Sequence, residues 1–393
     1  MFWIYGGALQ WGTASQDLYD GSSMAATHNV IVVTANYRTN VFGFSNSPQI
    51  PAGQQNSGFL DQRLALDWVQ RNIHAFGGDK TKVTIAGESA GGYAIKQLIA
   101  LPPSPLNFRG AILESEGVAL DMNGLTNWNT LVKSVGCDTA SDQISCVRHV
   151  PADQIRDIQQ SLPISFSPAY DGVTALLDVR QAFESKKAAN VPMLFGTNRN
   201  EFRVFLTALG VTPDSPQSVE QPFLDQIAPG NTTLQNEIVH AYPAAIQASP
   251  YHLLSQIYTD LIFVCPLLKL TDLATENGYT SWRYLFDAQF PNTQLFADAG
   301  VYHFSELSEV FGTYPTSGAT TQQIELSRYF QKTWAEFVKN PAGGPGWPKI
   351  GSNNDIELGS IGGGGSSGEK TISLYETDRQ CPAFASLLAN APY

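Results

Sequence analysis

Charge is scarce in this 393-residue chain: Asp, Glu, Lys and Arg together make up 15%, where a globular domain usually carries about a quarter. Basic residues are the scarcer kind, 23 Lys and Arg against 35 Asp and Glu, and they form no run or patch. That argues against a nucleic-acid partner. No stretch approaches the roughly 18 consecutive apolar residues of a membrane span, so no integral membrane segment is expected. Nor is there a signal peptide, because neither a basic region nor a small-residue cleavage site follows Met1. This leaves a cytosolic protein, or one whose true N-terminus lies upstream. Aromatics, by contrast, reach 11% and hydrophobic residues 43%, which favours a compact fold over disorder.

The first hundred residues alternate between two periodicities. "MFWIY" (1–5) and "NVIVVTANY" (29–37) are strand-like, and "DQRLALDWVQRNI" (61–73) carries Leu64, Leu66, Trp68, Val69 and Ile73 as a helical stripe. "KVTIA" (82–86) is a short buried strand, and "AGGYAIKQLIAL" a helix after a glycine-rich turn. Strands alternating with helices predict an α/β fold with an open, mostly parallel sheet. From 118 to 280 the segments read as mostly helical, with one buried strand in "VPMLFGTN" (191–198). "SWRYLFDA" (281–288) is a later strand, 322–339 a helix and 361–370 a flexible loop. No repeat or long linker divides the chain, so residues 1–393 are expected to form a single domain.

The chemical signal is "VTIAGESAGGY". Gly87-Glu88-Ser89-Ala90-Gly91 fits G-x-S-x-G, in which a serine is lifted on a strained strand-to-helix turn. The pattern alone is weak, on the order of 0.1 chance matches in a chain this long. A second match, Gly364 to Gly368 around Ser366, lies in a Gly/Ser loop. With the β-branched run "VTI" before it and a helix after it, Ser89 has the context the motif requires.

A nucleophilic serine needs a base and an orienting acid, in chain order serine, acid, histidine for this motif. His240, His252 and His303 follow at sufficient distance. His303, in the loop after "SWRYLFDA", is favoured over the other two, whose surroundings look helical. Glu201, which follows strand 191–195 through a Gly-Thr-Asn turn, is favoured as the acid over Asp171, whose Asp-Gly pair is a common turn former. The developing oxyanion needs backbone N–H donors, one from Ala90 and another from a glycine-rich loop after the third strand. "YGGA" (5–8) fits that loop, which makes "MFWIY" the third strand and leads one to expect two earlier strands ahead of Met1.

With these residues placed, the chain resembles a type-B carboxylesterase/lipase of the α/β-hydrolase superfamily, the group that includes cholinesterases and neuroligins. "WIYGGA", "NYRTNVFGF", "SGFLDQRLALDWVQRNIHAFGGD", "VTIAGESAGG", "PAYDG", "FGTNRNE" and "YHFSELSEVFG" fall in family order. The resemblance implies an α/β-hydrolase fold with helical cap insertions, N-terminally incomplete. It implies Ser89, Glu201 and His303 as the triad, and Gly7, Ala8 and Ala90 as the oxyanion hole. It implies no metal or organic cofactor.

Cys137 and Cys146 lie nine residues apart, a spacing open to a local disulfide or to two reduced thiols; the resemblance implies the disulfide. Whether Cys265 and Cys381 pair stays open. A glycosylation sequon at Asn231 adds to the expectation of a secreted serine esterase acting on small-molecule or lipid esters. The alternatives are a catalytically weak, truncated homologue and a non-catalytic interaction protein.

Three departures from the family pattern stand out: Ala8 replaces a usual third glycine, Phe202 and Phe304 stand where a glycine often follows the acid and the histidine, and, the largest, the N-terminal segment expected ahead of Met1 is missing. Glu88 is open between tuning the imidazole and occupying a tolerant position.

Overall fold

The computed structural model describes residues 1–117, 122–352 and 355–393. Eight strands form one sheet: β1 (Phe2–Ile4), β2 (Val33–Thr34), β3 (Thr84–Glu88), β4 (Gly110–Glu114), β5 (Met193–Asn198), β6 (Ser281–Phe286), β7 (Ile356–Ile361) and β8 (Glu369–Ser373). Their order is β2-β1-β3-β4-β5-β6-β7-β8. Every pairing is parallel except that of β7 with β8. Strands covered on both faces read as continuous apolar runs, and β1, β3, β4, β5 and β6 are buried at every position. This is the α/β-hydrolase arrangement expected from the sequence.

The helices that position the site are α1 (Ser57–Asn72), α2 (Ala90–Ala100), α3 (Thr232–His240), α4 (Pro250–Glu276), α5 (Leu307–Phe311) and α6 (Thr321–Lys339). On α1, Leu66, Val69 and Ile73 just beyond its end are buried, as expected. Leu64 and Trp68 are not: they are 60% and 42% exposed, because a helix turning every 3.6 residues carries them away from the 62-66-69-73 face. The expected strand 29–37 contracts to the two residues of β2, since β1 offers only Phe2 and Trp3 as parallel partners. Segment 361–370 is also more ordered than expected. Ser366 closes a hairpin whose second strand begins at Glu369.

Helix α4 is longer and more apolar than any stretch singled out from the sequence. By length and composition it could cross a bilayer, yet 67% of its most apolar stretch is buried inside the protein. It is continuous through a π-helical turn at Asp260–Val264. The sequence hides it because Asp260, Lys269 and Asp272 interrupt the apolar runs.

Two hydrophobic cores result. One packs the helices onto the sheet, and the other is built from the helical insertion, including Phe202, Leu206, Tyr258 and Phe263. Burying side chains such as Phe2 and Ile4 of β1 is worth about 1.5–3 kcal/mol each.

Both cysteine pairs are disulfides, Cys137–Cys146 and Cys265–Cys381. The second pins the C-terminal segment to α4 across 116 residues, the first closes a separation of 9. Loop entropy then predicts unequal losses: about 5 kcal/mol for Cys381→Ala against roughly 2.6 kcal/mol for Cys146→Ala. Denaturant unfolding of the two variants measures the difference, and equal losses would contradict it.

Candidate active site

All the sequence-derived site residues sit past the C-terminal ends of strands: Gly7 and Ala8 after β1, Ser89 after β3, Glu201 after β5 and His303 after β6. Parallel sheets present their ligand crevices at this edge. Ser89 occupies the turn between β3 and α2 with φ 55° and ψ −123°, outside the regions open to ordinary L-residues. Its N–H donates to the Glu114 carbonyl at 2.8 Å, which ties the strained turn to β4. The motif's glycines have a direct steric cause. A Cβ on Gly87 would lie 2.6 Å from the Ile4 carbonyl oxygen, and one on Gly91 would collide with that same oxygen. Ser366 has none of this: its φ is −68°, and β7 before it leads into a hairpin rather than a helix.

Glu201 is completely buried and held at both oxygens. Oε1 accepts from the Ser115 hydroxyl and the Asn198 N–H, each at 2.6 Å. Oε2 accepts from His303 Nδ1 at 2.7 Å, which leaves Nε2 as the working nitrogen. Nε2 lies 3.0 Å from Oε1 of Glu88 without hydrogen-bond alignment, and no hydrogen bond among the described residues joins it to Ser89 Oγ. Such contacts often tighten only once substrate is bound. The rings of Phe205 and Phe263 flank the imidazole, with centroids at 5.1 and 5.0 Å.

The rival residues lie elsewhere. Asp171 closes a turn, with Oδ1 accepting from the N–H groups of Val173 and Thr174. His240 caps its own helix by bonding the Asn236 carbonyl, and His252 pairs with Asp298. Asn231 is exposed and caps α3 by accepting from the Leu234 N–H at 3.1 Å.

The loop after β1 turns back over Ser89. Gly7 has φ 105° and a Cβ there would strike the Trp11 carbonyl; Ala8 follows with φ 55°. The alanine therefore does sit in the left-handed region, at a cost of about 1–2 kcal/mol relative to glycine. Among the described residues neither the Gly7 nor the Ala8 N–H donates a backbone hydrogen bond. The Ala90 N–H opens α2 and has no intrahelical partner. Gly7 and Ala8 line a cavity of about 680 Å³ together with Ser89, His303 and a mostly apolar wall that includes Trp11, Phe202, Phe205 and Phe304.

Four glutamates crowd beneath this cavity, Glu88, Glu114, Glu201 and Glu306, none more than 3% exposed. Burial raises Glu88, Glu114 and Glu306 above the usual carboxylate range, Glu114 to about 8, and Glu306 is pushed further by the charges of its neighbours. For His303 burial works downward. The Glu88 charge and the hydrogen bond that the ring donates to Glu201 outweigh it and hold the imidazole well above its usual 6.5. Ser115, Asn198, Glu114 and Glu306 were not singled out from the sequence. The one available signal was Glu114 and Ser115 ending an otherwise apolar strand.

A model of the carboxylesterase family matches residues 1–368. The chain is 32% identical over 375 residues to secreted lipase 5 of Gibberella zeae, covering 88% of this chain and 64% of that protein. It is 33% identical over 382 residues to a cholinesterase of Mus musculus (88% and 63%). Against the para-nitrobenzyl esterase of Bacillus subtilis the identity is 34% over 364 residues (87% and 71%). The chain thus spans less than two thirds of the first two relatives.

The electrostatics make a prediction with a definite sign. Removing the Glu88 charge withdraws support from the imidazolium while burial persists, so Glu88→Gln should lower the titration midpoint of His303. An NMR titration of the histidine side chains measures it; an unchanged midpoint would mean that Glu88 is not what holds the proton.

Proposed function

The chain belongs to the carboxylesterase family, and on that premise we propose that it hydrolyses carboxylic esters through an acyl-enzyme on Ser89. The observation that carries this reading is the strained backbone of Ser89 at the head of α2, in the same cavity as His303. Strain of this kind persists where surrounding structure enforces it, and it collects at functional sites.

In acylation, Ser89 Oγ attacks the ester carbonyl carbon as His303 Nε2 takes its proton. The electron pair displaced onto the carbonyl oxygen meets the N–H groups of Gly7, Ala8 and Ala90. Each such donor is typically worth about 2.7–4 kcal/mol, and the N-terminus of α2 adds its dipole. Collapse breaks the bond to the alcohol oxygen, which receives the proton from Nε2 and departs. Water then repeats the sequence on the acyl-serine, its proton passing through His303 to Ser89 Oγ as the acid leaves. Glu201, fixed by Ser115 and Asn198, holds the ring in the Nδ1–H tautomer throughout.

His303 has a further requirement. As imidazolium between Glu88 and Glu201 it cannot accept the serine proton, so the working state is the deprotonated ring turned from Glu88 toward Ser89. The cavity wall favours apolar small-molecule or lipid esters. We read residues 1–393 as one domain, since a single sheet carries every site loop and the cavity is lined from both cores. Secretion is supported by two disulfides and by the relative named a secreted lipase.

Ser89→Ala should lower turnover of p-nitrophenyl butyrate by on the order of 10⁶ and abolish the mass increase from an alkyl fluorophosphonate. A folded wild type that neither turns over the ester nor gains the label would overturn the reading. Secretion from a eukaryotic host tests the sequon separately. The product should lose mass on treatment with an N-glycosidase, and Asn231→Gln should not; an untreated product without glycan at Asn231 would remove that part of the proposal.

A further inference from the structure

We infer that Phe304 sets the size of the alcohol portion that the cavity admits. The inference rests on the ester-hydrolase reading above and goes beyond it to selectivity. Around the cavity, Ser89, Ala8 and Phe304 all hold φ between 55° and 61°. Ser89 is the proposed nucleophile and Ala8 offers an N–H to the oxyanion. Phe304 has no comparable role, and glycine would adopt its backbone freely.

Core packing accounts for only part of the ring: Phe304 leans on the sheet core, yet it is only partly buried and lines the cavity. It stands edge-on to Tyr302 (5.2 Å, 80°) and to the imidazole of His303 (6.0 Å, 78°). A strained residue with its side chain turned toward a ligand space fits strain retained for contact with the ligand.

The chemistry decides which part of the ester it meets. The departing alcohol oxygen must reach His303 Nε2 to receive its proton, while the carbonyl oxygen is drawn to Gly7, Ala8 and Ala90. The imidazole's other aromatic neighbours, Phe205 and Phe263, come from the helical insertion and pack with the second core. Phe304 packs with the sheet core. It therefore bounds the space beside the leaving group from the sheet side.

The test uses the full chain and two variants. Phe304→Gly relieves the backbone, and Phe304→Asn keeps a side chain that tolerates the left-handed region. One ester series fixes the acyl group as acetate and varies the alcohol from methyl through isopropyl to cyclohexyl. The other fixes p-nitrophenol and lengthens the acyl group from acetate to octanoate. In both variants kcat/KM for cyclohexyl acetate should rise about tenfold relative to methyl acetate, with the acyl-length profile unmoved. An unchanged alcohol profile, or an acyl profile that shifts as much, overturns the role of Phe304 while leaving ester hydrolysis intact. A wild type without turnover on either series removes the hydrolase reading and this inference with it.

Discussion

The site depends on one close approach, the Ile4 carbonyl at the end of β1 against the turn between β3 and α2. Gly87 and Gly91 both face that oxygen, and no side chain fits at either place. Two consequences follow from this contact. It lets the backbone at Ser89 pass through φ 55°, which a looser turn would relax. It also brings the loop after β1 over the serine, so that the N–H groups of Gly7 and Ala8 lie on the same cavity as the hydroxyl. The proposed nucleophile and oxyanion donors are thus positioned by a single packing event between neighbouring parallel strands, registered through Ile4 opposite Gly87.

Below that contact the protein buries four carboxyl groups close together, and burial raises the pKa of Glu88, Glu114 and Glu306. Separating charges from water is costly unless they are paired, and the one cationic group at the centre of Glu88, Glu114, Glu201 and Glu306 is the imidazolium of His303. Glu201 accepts hydrogen bonds from three donors. Glu114, with Trp334 Nε1 at 2.8 Å, and Glu306, with the Asn198 amide, have fewer. Their raised pKa values are the expected outcome of burial with incomplete pairing. Glu88 is the member in contact with the working nitrogen, so the same charge that stabilises the resting imidazolium opposes formation of the base. In the structure Nε2 faces Glu88 and makes no hydrogen bond to Ser89.

What could be read from the sequence follows how local each cause is. The turn at Ser89 is written in five consecutive residues, because the steric demand acts on the motif itself. The buried parallel strands are legible for a similar reason, since burial on both faces makes them continuous apolar runs. His303 and Glu201 could be favoured by chain order and loop position, though only the fold brings them to 2.7 Å. Ser115 and Glu306 left little trace, since each acts through a partner distant in sequence, and Asn198 serves Glu201 through a backbone N–H that nearly any residue would supply. The length of β2 depends on how many residues β1 presents, and the core role of α4 on what surrounds it. The pairing of Cys265 with Cys381 is non-local in the same sense and could not be decided from spacing.

The division into two cores explains how such a site can change its substrate without losing its chemistry. The groups proposed to do covalent work are attached to strand ends of the sheet, where register fixes them to within the precision of the ladder. One wall of the cavity comes instead from the helical insertion, which packs as its own cluster around Phe202, Tyr258 and Phe263. A substitution there alters shape while leaving the strand ends in place. The π-helical turn of α4 at Asp260–Val264 supplies Ile262 and Phe263 to that wall, and the extra residue in such a turn rotates side chains off the regular helical face. The position of the Phe263 ring against the imidazole is therefore set by a local irregularity of a long helix rather than by the sheet. The insertion-side wall meets the strand-end groups chiefly around the imidazole and across the cavity, so its shape can vary with the sheet register unchanged.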